Sequence, residues 1–332
     1  MDRLVAKGER VRTEQSGALE VRPPNDGSPK KTGKKPLREP PPPSSGGTIP
    51  KRARGAAGMT RMMSPAGMGE KLERTRFEAA FTKVAGPEAI EALQAMFSDS
   101  PVVLIGGDQA TGKGTLATAL AAAMGGEATS VGKASVRKMA AARGVTVEEM
   151  GRMLKTMPDV DRQIDYAACQ AIASGSTPTE AGGTTRLAAL DSRLAGHLGQ
   201  FLRRLGRQNI VTVYLGCAPR EQALRFVNRE LSPQAKDALD RVVPHDPALG
   251  MAECVQALSG LELPGAEDVA RRFDEIAARD DVDRDRFLSL YGVDYRDTAS
   301  YDLVVDTSGK TPDEVRREVI ALLPHGFVGE SR

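Results

Sequence analysis

A buried strand that leads directly into a glycine-rich loop and then into a helix constrains the fold of this chain most. Residues 102–115 read Val-Val-Leu-Ile-Gly-Gly-Asp-Gln-Ala-Thr-Gly-Lys-Gly-Thr, and an alanine-rich run follows over 116–124. Gly107, Gly112 and Lys113 match the start of the pattern G-x-x-x-x-G-K-[ST]. Backbone N–H groups of such a loop, together with the positive end of the helix, bind polyphosphate oxygens. We call residues 107–115 the phosphate loop.

The phosphate loop supplies the first set of expected binding residues. Gly114 occupies the eighth position of the pattern, where Ser or Thr is usual, and Thr115 follows it. A loop that only closes a turn is the alternative, and the strand before it and the helix after it argue against that alternative. The residues expected to bind the polyphosphate are Gly107, Ala110, Thr111, Gly112, Lys113, Gly114 and Thr115.

Composition excludes several classes of protein. The chain has 332 residues, a formal net charge of +2, three cysteines and three histidines. Cys169, Cys217 and Cys254 are far apart and show no C-x-x-C spacing, so neither a disulfide framework nor a zinc site is indicated. We find no signal peptide and no apolar run long enough to span a membrane, and we therefore expect a cytoplasmic protein without membrane contact.

The first part of the chain differs from the rest in composition. Residues 1–69 are basic, rich in Pro, Gly and Ser and poor in apolar side chains, which predicts a disordered tail. Nucleic acid binding by this tail is an alternative, but no aromatic residue is interleaved for base stacking, which favours a solvated tail. Residues 70–98 carry a helical pattern interrupted at Gly86-Pro87 and are expected to pack on the domain that follows.

Residues 99–325 alternate strand and helix patterns. Five short apolar runs, 102–105, 128–131, 186–190, 210–216 and 302–305, are predicted strands, and capping boxes begin helices at Thr146 and Thr311. This order predicts an α/β, three-layer P-loop NTPase fold with a five-stranded parallel sheet. Ligands of such sheets bind at the carboxyl ends of the strands, so we searched there for site residues.

Polar residues follow the second and third predicted strands. Ser130, Gly132 and Arg137 can hold a second phosphate, or they can form an ordinary helix cap with an exposed arginine. Asp191 can hold Mg²⁺ directly or through water, or it can be a buried helix-capping aspartate. Arg193 can form paired hydrogen bonds with an acceptor phosphate.

Arginines also follow the fourth predicted strand. Arg225 and Arg229 lie in the next helix, and Arg279 and Arg286 lie in a charge-rich run over 279–286. Such a run is usually a solvated helix face with i,i+4 ion pairs. In a protein that transfers phosphoryl groups, a mobile lid can carry such arginines onto the transferred group.

These residues together resemble the cytidylate kinase family, specifically its shorter archaeal-type branch. The resemblance covers about residues 100–320, apart from one insertion, and depends on a series of segments in a fixed order. That series is the Gly-Lys-Gly-Thr loop, Ser130-x-Gly132 with Arg137, 141–150, 158–165, 191–196, Arg225 with Arg229, Arg286-Phe, 290–294 and 300–308.

The resemblance implies an enzyme, a nucleoside monophosphate kinase that transfers the ATP γ-phosphoryl group to CMP or dCMP with Mg²⁺. By this similarity the phosphate loop would bind ATP, and Thr115 and Asp191 would hold Mg²⁺ through water. The implied residues for the monophosphate are Ser130, Gly132, Arg137, Arg193 and Gly196. The implied catalytic residues are Lys113, Asp191, Arg229, Arg279 and Arg286.

Three departures from the family pattern keep other functions open. Lys133 stands where the family has an acidic residue, Ser192 interrupts the usual acid-Gly-Arg order, and residues 231–267 form an insertion in the lid region. The first alternative is a P-loop kinase for another small-molecule acceptor. The second is a nucleotide-binding regulatory protein with little transferase activity. The sequence leaves the oligomeric state open.

Overall fold

Within the part of the chain that the structure describes, the sheet contains seven strands. The computed structural model describes residues 61–62, 69–154, 156–179, 183–246 and 248–328. The strands are β1 (Arg61–Met62), β2 (Val102–Gly107), β3 (Glu127–Thr129), β4 (Ser176–Pro178), β5 (Thr184–Asp191), β6 (Ile210–Gly216) and β7 (Leu303–Asp306).

Five of these strands are parallel, and they are the five that the sequence predicts. Their order across the sheet is β3-β5-β2-β6-β7, with β2 in the centre. Ile105 of β2 lies opposite Asp191 of β5, and Gly107 lies opposite Leu215 of β6. The carboxyl ends of the three central strands therefore meet at one edge of the sheet.

The prediction of five strands omits two short antiparallel ones. β1 pairs with β7, and β4 pairs with β5. The sequence shows β4 only as the polar residues Ser-Thr-Pro, and three residues are too few to give a two-residue period. Thr177 of β4 lies opposite Thr185 of β5, so the two strands form a hairpin.

Helices cover both faces of the sheet. They are α1 (Gly69–Ala85), α2 (Ala89–Ala95), α3 (Lys113–Met124), α4 (Val131–Arg143), α5 (Val147–Leu154), α6 (Pro158–Ser174), α7 (Ala195–Arg204), α8 (Pro219–Glu230), α9 (Pro233–Val242), α10 (Met251–Ser259), α11 (Ala266–Tyr291) and α12 (Pro312–Leu322). Both predicted capping boxes are confirmed, because Thr146 with Glu149 and Thr311 with Glu314 exchange the expected hydrogen bonds.

Alternate residues of β2 pack into two different hydrophobic cores. Val102 and Leu104 face a core that includes side chains of α1, α2, α6, α7 and the end of α11. Val103 and Ile105 face a second core with α3 and α12. This alternation is the period of a strand buried on both faces. The mixed α/β architecture is consistent with the predicted P-loop fold.

The predicted insertion shares a hydrophobic core with the two helices that flank it, α8 and α11. Side chains of α8, α9, α10 and the first part of α11 pack together, with Phe226 and Phe273 at 5.3 Å between ring centroids. Arg220 of α8 is buried beneath this unit and bonds to Asp240 and to the carbonyl of Val243. The insertion is therefore anchored to the helix that follows β6.

Two expectations concern residues at the margin of the structure. The tail predicted over 1–69 lies outside the described residues except for β1 and Gly69, and the sequence did not predict β1. Helices α1 and α2 agree with the helical pattern predicted for 70–98, and they are separated at Gly86-Pro87-Glu88 as expected.

Among the described residues, no helix is both long and apolar enough to cross a membrane.

Candidate functional site

The phosphate loop has the backbone shape that its glycines permit. Gly107 has φ of 133° and Gly112 has φ of 97°, conformations that side chains other than glycine rarely adopt. A Cβ at Gly107 would lie 2.4 Å from the carbonyl oxygen of Leu215. Ala110 also has a positive φ, 58°, which costs a residue with a Cβ about 1 kcal/mol. The loop is therefore a tight turn held against β6.

Lys113 is the first residue of α3 and lies across the phosphate loop. Only 7% of it is exposed, and its Nζ donates a hydrogen bond to the carbonyl of Asp108. The hydroxyl of Thr111 donates to the same carbonyl at 2.9 Å. The ammonium group therefore lies within the phosphate loop, where it is expected to bind polyphosphate oxygens together with the loop amides.

A cavity of about 460 Å³ opens beside the phosphate loop. It is lined by residues of the loop and α3, of α8, and of the segment from β7 to α12: Gln109 to Leu116, Leu215, Arg225, Asn228, Arg229, Thr307, Lys310, Pro312 and Val315. Thr115 is an exposed residue in this wall. The phosphate loop, two arginines and two lysines therefore line a single space.

Arg225 holds the far wall of this cavity to the phosphate loop. Its guanidinium donates to the hydroxyl of Thr307 at 2.9 Å and to the carbonyls of Thr111 and Lys310, both at 3.4 Å. These bonds connect α8, the loop and the segment after β7. Arg225 was not among the site residues predicted from the sequence.

Arg193 is fixed between two carboxylates of α11. Its Nη2 bonds to Asp280 at 2.5 Å, its Nη1 bonds to Asp283, and its guanidinium lies over the ring of Tyr295. Burial by itself would lower the pKa of Arg193, but Asp283 and Asp280 raise it above the usual value. Arg193 therefore stays charged in a nearly buried position.

Asp283 brings together three of the predicted arginines. Besides Arg193, it faces Arg286 at 3.2 Å and Arg279 at 3.8 Å. Arg286 also reaches Asp161 of α6 at 3.2 Å, and burial raises the pKa of Asp161 to about 6. The result is a cluster of three guanidinium groups and three carboxylates, those of Asp161, Asp280 and Asp283.

The remaining predicted residues occupy separate positions. Asp191 ends β5 and is 6% exposed. Arg229 lines the cavity, pairs with Glu230 and lies over Phe226, so it is apart from the cluster around Asp283. Gly196 is packed against the carbonyl of Ser300, which a Cβ would approach to 2.7 Å.

The segment predicted to hold a second phosphate forms the start of α4. Ser130 is the N-cap residue of α4, but its side chain makes no capping hydrogen bond, and Gly132 lies in the first turn. The side chains of Arg137 and Lys133 lie outside the described residues.

Comparison with known proteins identifies the family. No family model matches the chain. The cytidylate kinase of Methanopyrus kandleri is 30% identical over 221 residues, which cover 66% of this chain and 91% of that protein. The chain belongs to the cytidylate kinase family. The cytidylate kinase of Pyrobaculum aerophilum is 27% identical over 62% of this chain and 84% of its own length, and that of Pyrococcus furiosus is 26% identical over 57% and 71%.

The family relationship predicted from the sequence is therefore confirmed. A solved structure of an uncharacterized protein from Eubacterium ventriosum matches 68% of this chain and 98% of its own chain, with a TM-score of 0.39 and 11% identity. That similarity is too low to indicate a property of this cytidylate kinase family member.

The carboxylates that hold the arginines of this cytidylate kinase family member were not predicted from its sequence. Asp280 and Asp283 lie in a run that is usually a solvated helix face, yet both are buried. The spacing of α11 could have indicated the burial of Asp280, because Phe273, Asp280 and Phe287 are seven residues apart and therefore share one face of the helix. Asp161 lies in the segment 158–165, which is one of those that resemble the cytidylate kinase family. The resemblance implied no role for Asp161 itself.

Proposed function

We propose that this protein transfers the γ-phosphoryl group of ATP to CMP or dCMP and forms ADP and the corresponding diphosphate. The observation that carries the proposal is the convergence of Arg193, Arg279 and Arg286 on Asp283, beside the phosphate loop. Phosphoryl transfer needs mainly positioning and neutralisation of charge, and it needs no covalent nucleophile. A phosphate loop on one side and an arginine cluster on the other meet those needs.

The donor would occupy the cavity beside the phosphate loop. In this proposal Lys113 and the amides of residues 110–115 bind the phosphates of ATP, and Arg229 approaches from α8. The positive end of α3 contributes to the same attraction, because its first N–H groups point toward the loop. The volume of about 460 Å³ is in the range of a small-molecule site.

The residues present also fit a Mg²⁺ ion. Asp191 offers a carboxylate at the end of β5, and Thr115 offers a hydroxyl in the first turn of α3. Mg²⁺ takes few protein oxygens in such sites and completes its shell with waters and phosphates. When bound, the ion would neutralise charge on the phosphates.

The acceptor would lie between the end of β5 and α11. We assign Arg193 to the acceptor phosphate, with Ser130, Gly132, Arg137 and Gly196 around the monophosphate. Arg279 and Arg286 would supply positive charge to the group in transfer. Their present pairing with Asp283 keeps these guanidinium groups close to the site, and phosphate oxygens would compete with that carboxylate for them.

The test is release of ADP with Mg·ATP and a panel of CMP, dCMP, UMP, AMP and GMP. We expect turnover with the cytidine monophosphates and none in the Lys113→Ala variant. A matched control is Lys236→Ala, which removes a lysine from the insertion, far along the chain from the loop. Preferred turnover with another acceptor would favour a different P-loop kinase. ATP binding without ADP release for any acceptor would favour a regulatory protein.

A further inference from the structure

The buried carboxylate of Asp280 contacts both halves of the candidate site. Its Oδ2 accepts the backbone N–H of Gln109 in the phosphate loop at 3.0 Å. Its Oδ1 accepts a hydrogen bond from Nη2 of Arg193 at 2.5 Å. Asp280 is 4% exposed. One side chain of α11 thus joins the loop after β2 to the arginine after β5.

The surroundings of Asp280 fix its position. The hydroxyl of Tyr295 donates to the carbonyl oxygen of Asp280 at 3.1 Å and lies 2.5 Å from Oδ1 of Asp108. Arg296 donates to the same oxygen of Asp108 at 3.0 Å. Since a buried carboxylate is costly unless it is paired, the hydrogen bonds from the Gln109 amide and from Arg193 explain why Asp280 can lie at this position.

We infer that Asp280 is a positioning residue that sets the phosphate loop and Arg193 relative to each other, with one carboxylate oxygen for each. This inference rests on the proposed function, in which the loop binds the donor and Arg193 binds the acceptor. The Gln109 amide is directed to α11, and the following amides of the loop line the cavity. The same carboxylate presents the guanidinium of Arg193 in one orientation.

The two contacts of Asp280 make different chemical demands. The N–H of Gln109 needs only an oxygen acceptor, which an amide side chain also provides. In Asp280→Asn the guanidinium of Arg193 loses its ion pair with this side chain, and an amide whose oxygen faces Gln109 turns its NH₂ toward that guanidinium, donor against donor. Asp280→Asn therefore preserves one contact and breaks the other, whereas Asp280→Ala removes both.

The experiment compares these two variants with wild type and with Asp285→Asn, an exposed carboxylate of the same helix. For Asp280→Ala we expect KM for ATP and KM for CMP each to rise roughly tenfold. For Asp280→Asn we expect KM for CMP to rise by a similar factor while KM for ATP stays within about twofold of wild type. Asp285→Asn should change neither constant.

Binding measurements make the test independent of turnover. Calorimetry with a non-hydrolysable Mg·ATP analogue should show weaker binding to Asp280→Ala and near wild-type binding to Asp280→Asn. If the wild-type protein transfers phosphate to no acceptor, the proposed function fails, and this difference between the variants still tests the loop contact. If Asp280→Ala does not fold, the separate effects on CMP and ATP in Asp280→Asn decide. Equal changes for both ligands in Asp280→Asn, or none in either variant, would overturn the inference.

Discussion

Tyr291 donates a hydrogen bond from its hydroxyl to Oδ2 of Asp165 at 2.7 Å, and this contact joins α11 to α6 inside the main core. Burial raises the pKa of Asp165 to about 7, although the Tyr291 hydrogen bond and the charge of Arg286 act in the opposite direction. The carboxyl group therefore exchanges its proton near neutral pH, in the interior of the protein.

Stability should depend on pH through Asp165. A carboxyl whose folded pKa lies above its unfolded value stabilises the fold fully below the unfolded pKa of about 3.9, and that stability is lost as pH rises through about 7. Asp165→Asn keeps a neutral acceptor for Tyr291 and should be more stable than wild type at pH 8, by about 2–4 kcal/mol. The advantage should shrink toward pH 4. Urea denaturation at pH 4, 6 and 8 measures it.

The control for this prediction is Asp285→Asn, which changes an exposed carboxylate of α11. Its difference from wild type should vary little over the same range. An advantage of Asp165→Asn that is constant from pH 4 to pH 8 would show that Asp165 does not titrate in this interval.

Arg193 should affect the acceptor more than the donor. Under the proposed function, Arg193→Ala should raise KM for CMP about tenfold or more, since it removes charge-assisted hydrogen bonds to phosphate. KM for ATP should change much less. Steady-state kinetics with each substrate varied in turn measure the two effects. Arg271→Ala is a matched control, because Arg271 is an exposed arginine on α11. Equal loss for both substrates would contradict the assignment.

Two glycines of the phosphate loop should respond oppositely to the same substitution. Gly107→Ala forces a Cβ to 2.4 Å from the Leu215 carbonyl in a backbone conformation that alanine rarely adopts, so it should destabilise the protein by about 2 kcal/mol or more. Gly114 lies in α3 with no atom within 4 Å of an added Cβ, so Gly114→Ala should stabilise by about 0.5–1 kcal/mol. Thermal and urea unfolding give both values. Similar losses in both variants would show that the loop tolerates a Cβ at neither position.

Arg207 should be essential for stability although it has no part in the proposed chemistry. It is 1% exposed and donates hydrogen bonds to the carbonyls of Ile172, Ala173, Gln208 and Ser100. Arg207→Ala leaves these buried carbonyls without their donor and should lower the free energy of unfolding by about 3 kcal/mol or more. Exposed Arg241, replaced by alanine, is the control for urea denaturation. A loss below about 1 kcal/mol would mean that water replaces the guanidinium.

The parallel sheet was predictable because its central strand, β2, is fully buried. Six consecutive buried residues in β2 leave no polar alternation, and such runs followed by helices indicate parallel pairing. The position of Asp191 followed from that, since it comes directly after a predicted strand, and the position of Lys113 followed from the glycine-rich pattern after β2. The hairpin of β4 was not predictable, because Ser176–Pro178 carries no hydrophobic pattern.

The partners of the site arginines were harder to predict. In α11 the charged residues outnumber the buried apolar ones. The sequence pattern therefore indicates a solvated helix, and it does not show that Asp280 and Asp283 point into the protein. A carboxylate becomes a stable interior residue only when an arginine from another element reaches it. Arg193 comes from 87 residues earlier in the chain, a separation that no local pattern encodes.

Helix α11 belongs to two hydrophobic cores at once. Phe273, near its start, packs in the core of the insertion, whereas Phe287 and Tyr291 pack in the main core. Four charged residues of the candidate site, Arg279, Asp280, Asp283 and Arg286, lie on the stretch between. Because α11 is one continuous helix, a tilt of about 5° about Phe273 displaces Phe287, which is roughly 21 Å away along the axis, by about 2 Å. A change in the packing of the insertion against Phe273 would therefore displace the charged side chains around Asp283, although the insertion core lies at the other end of the helix.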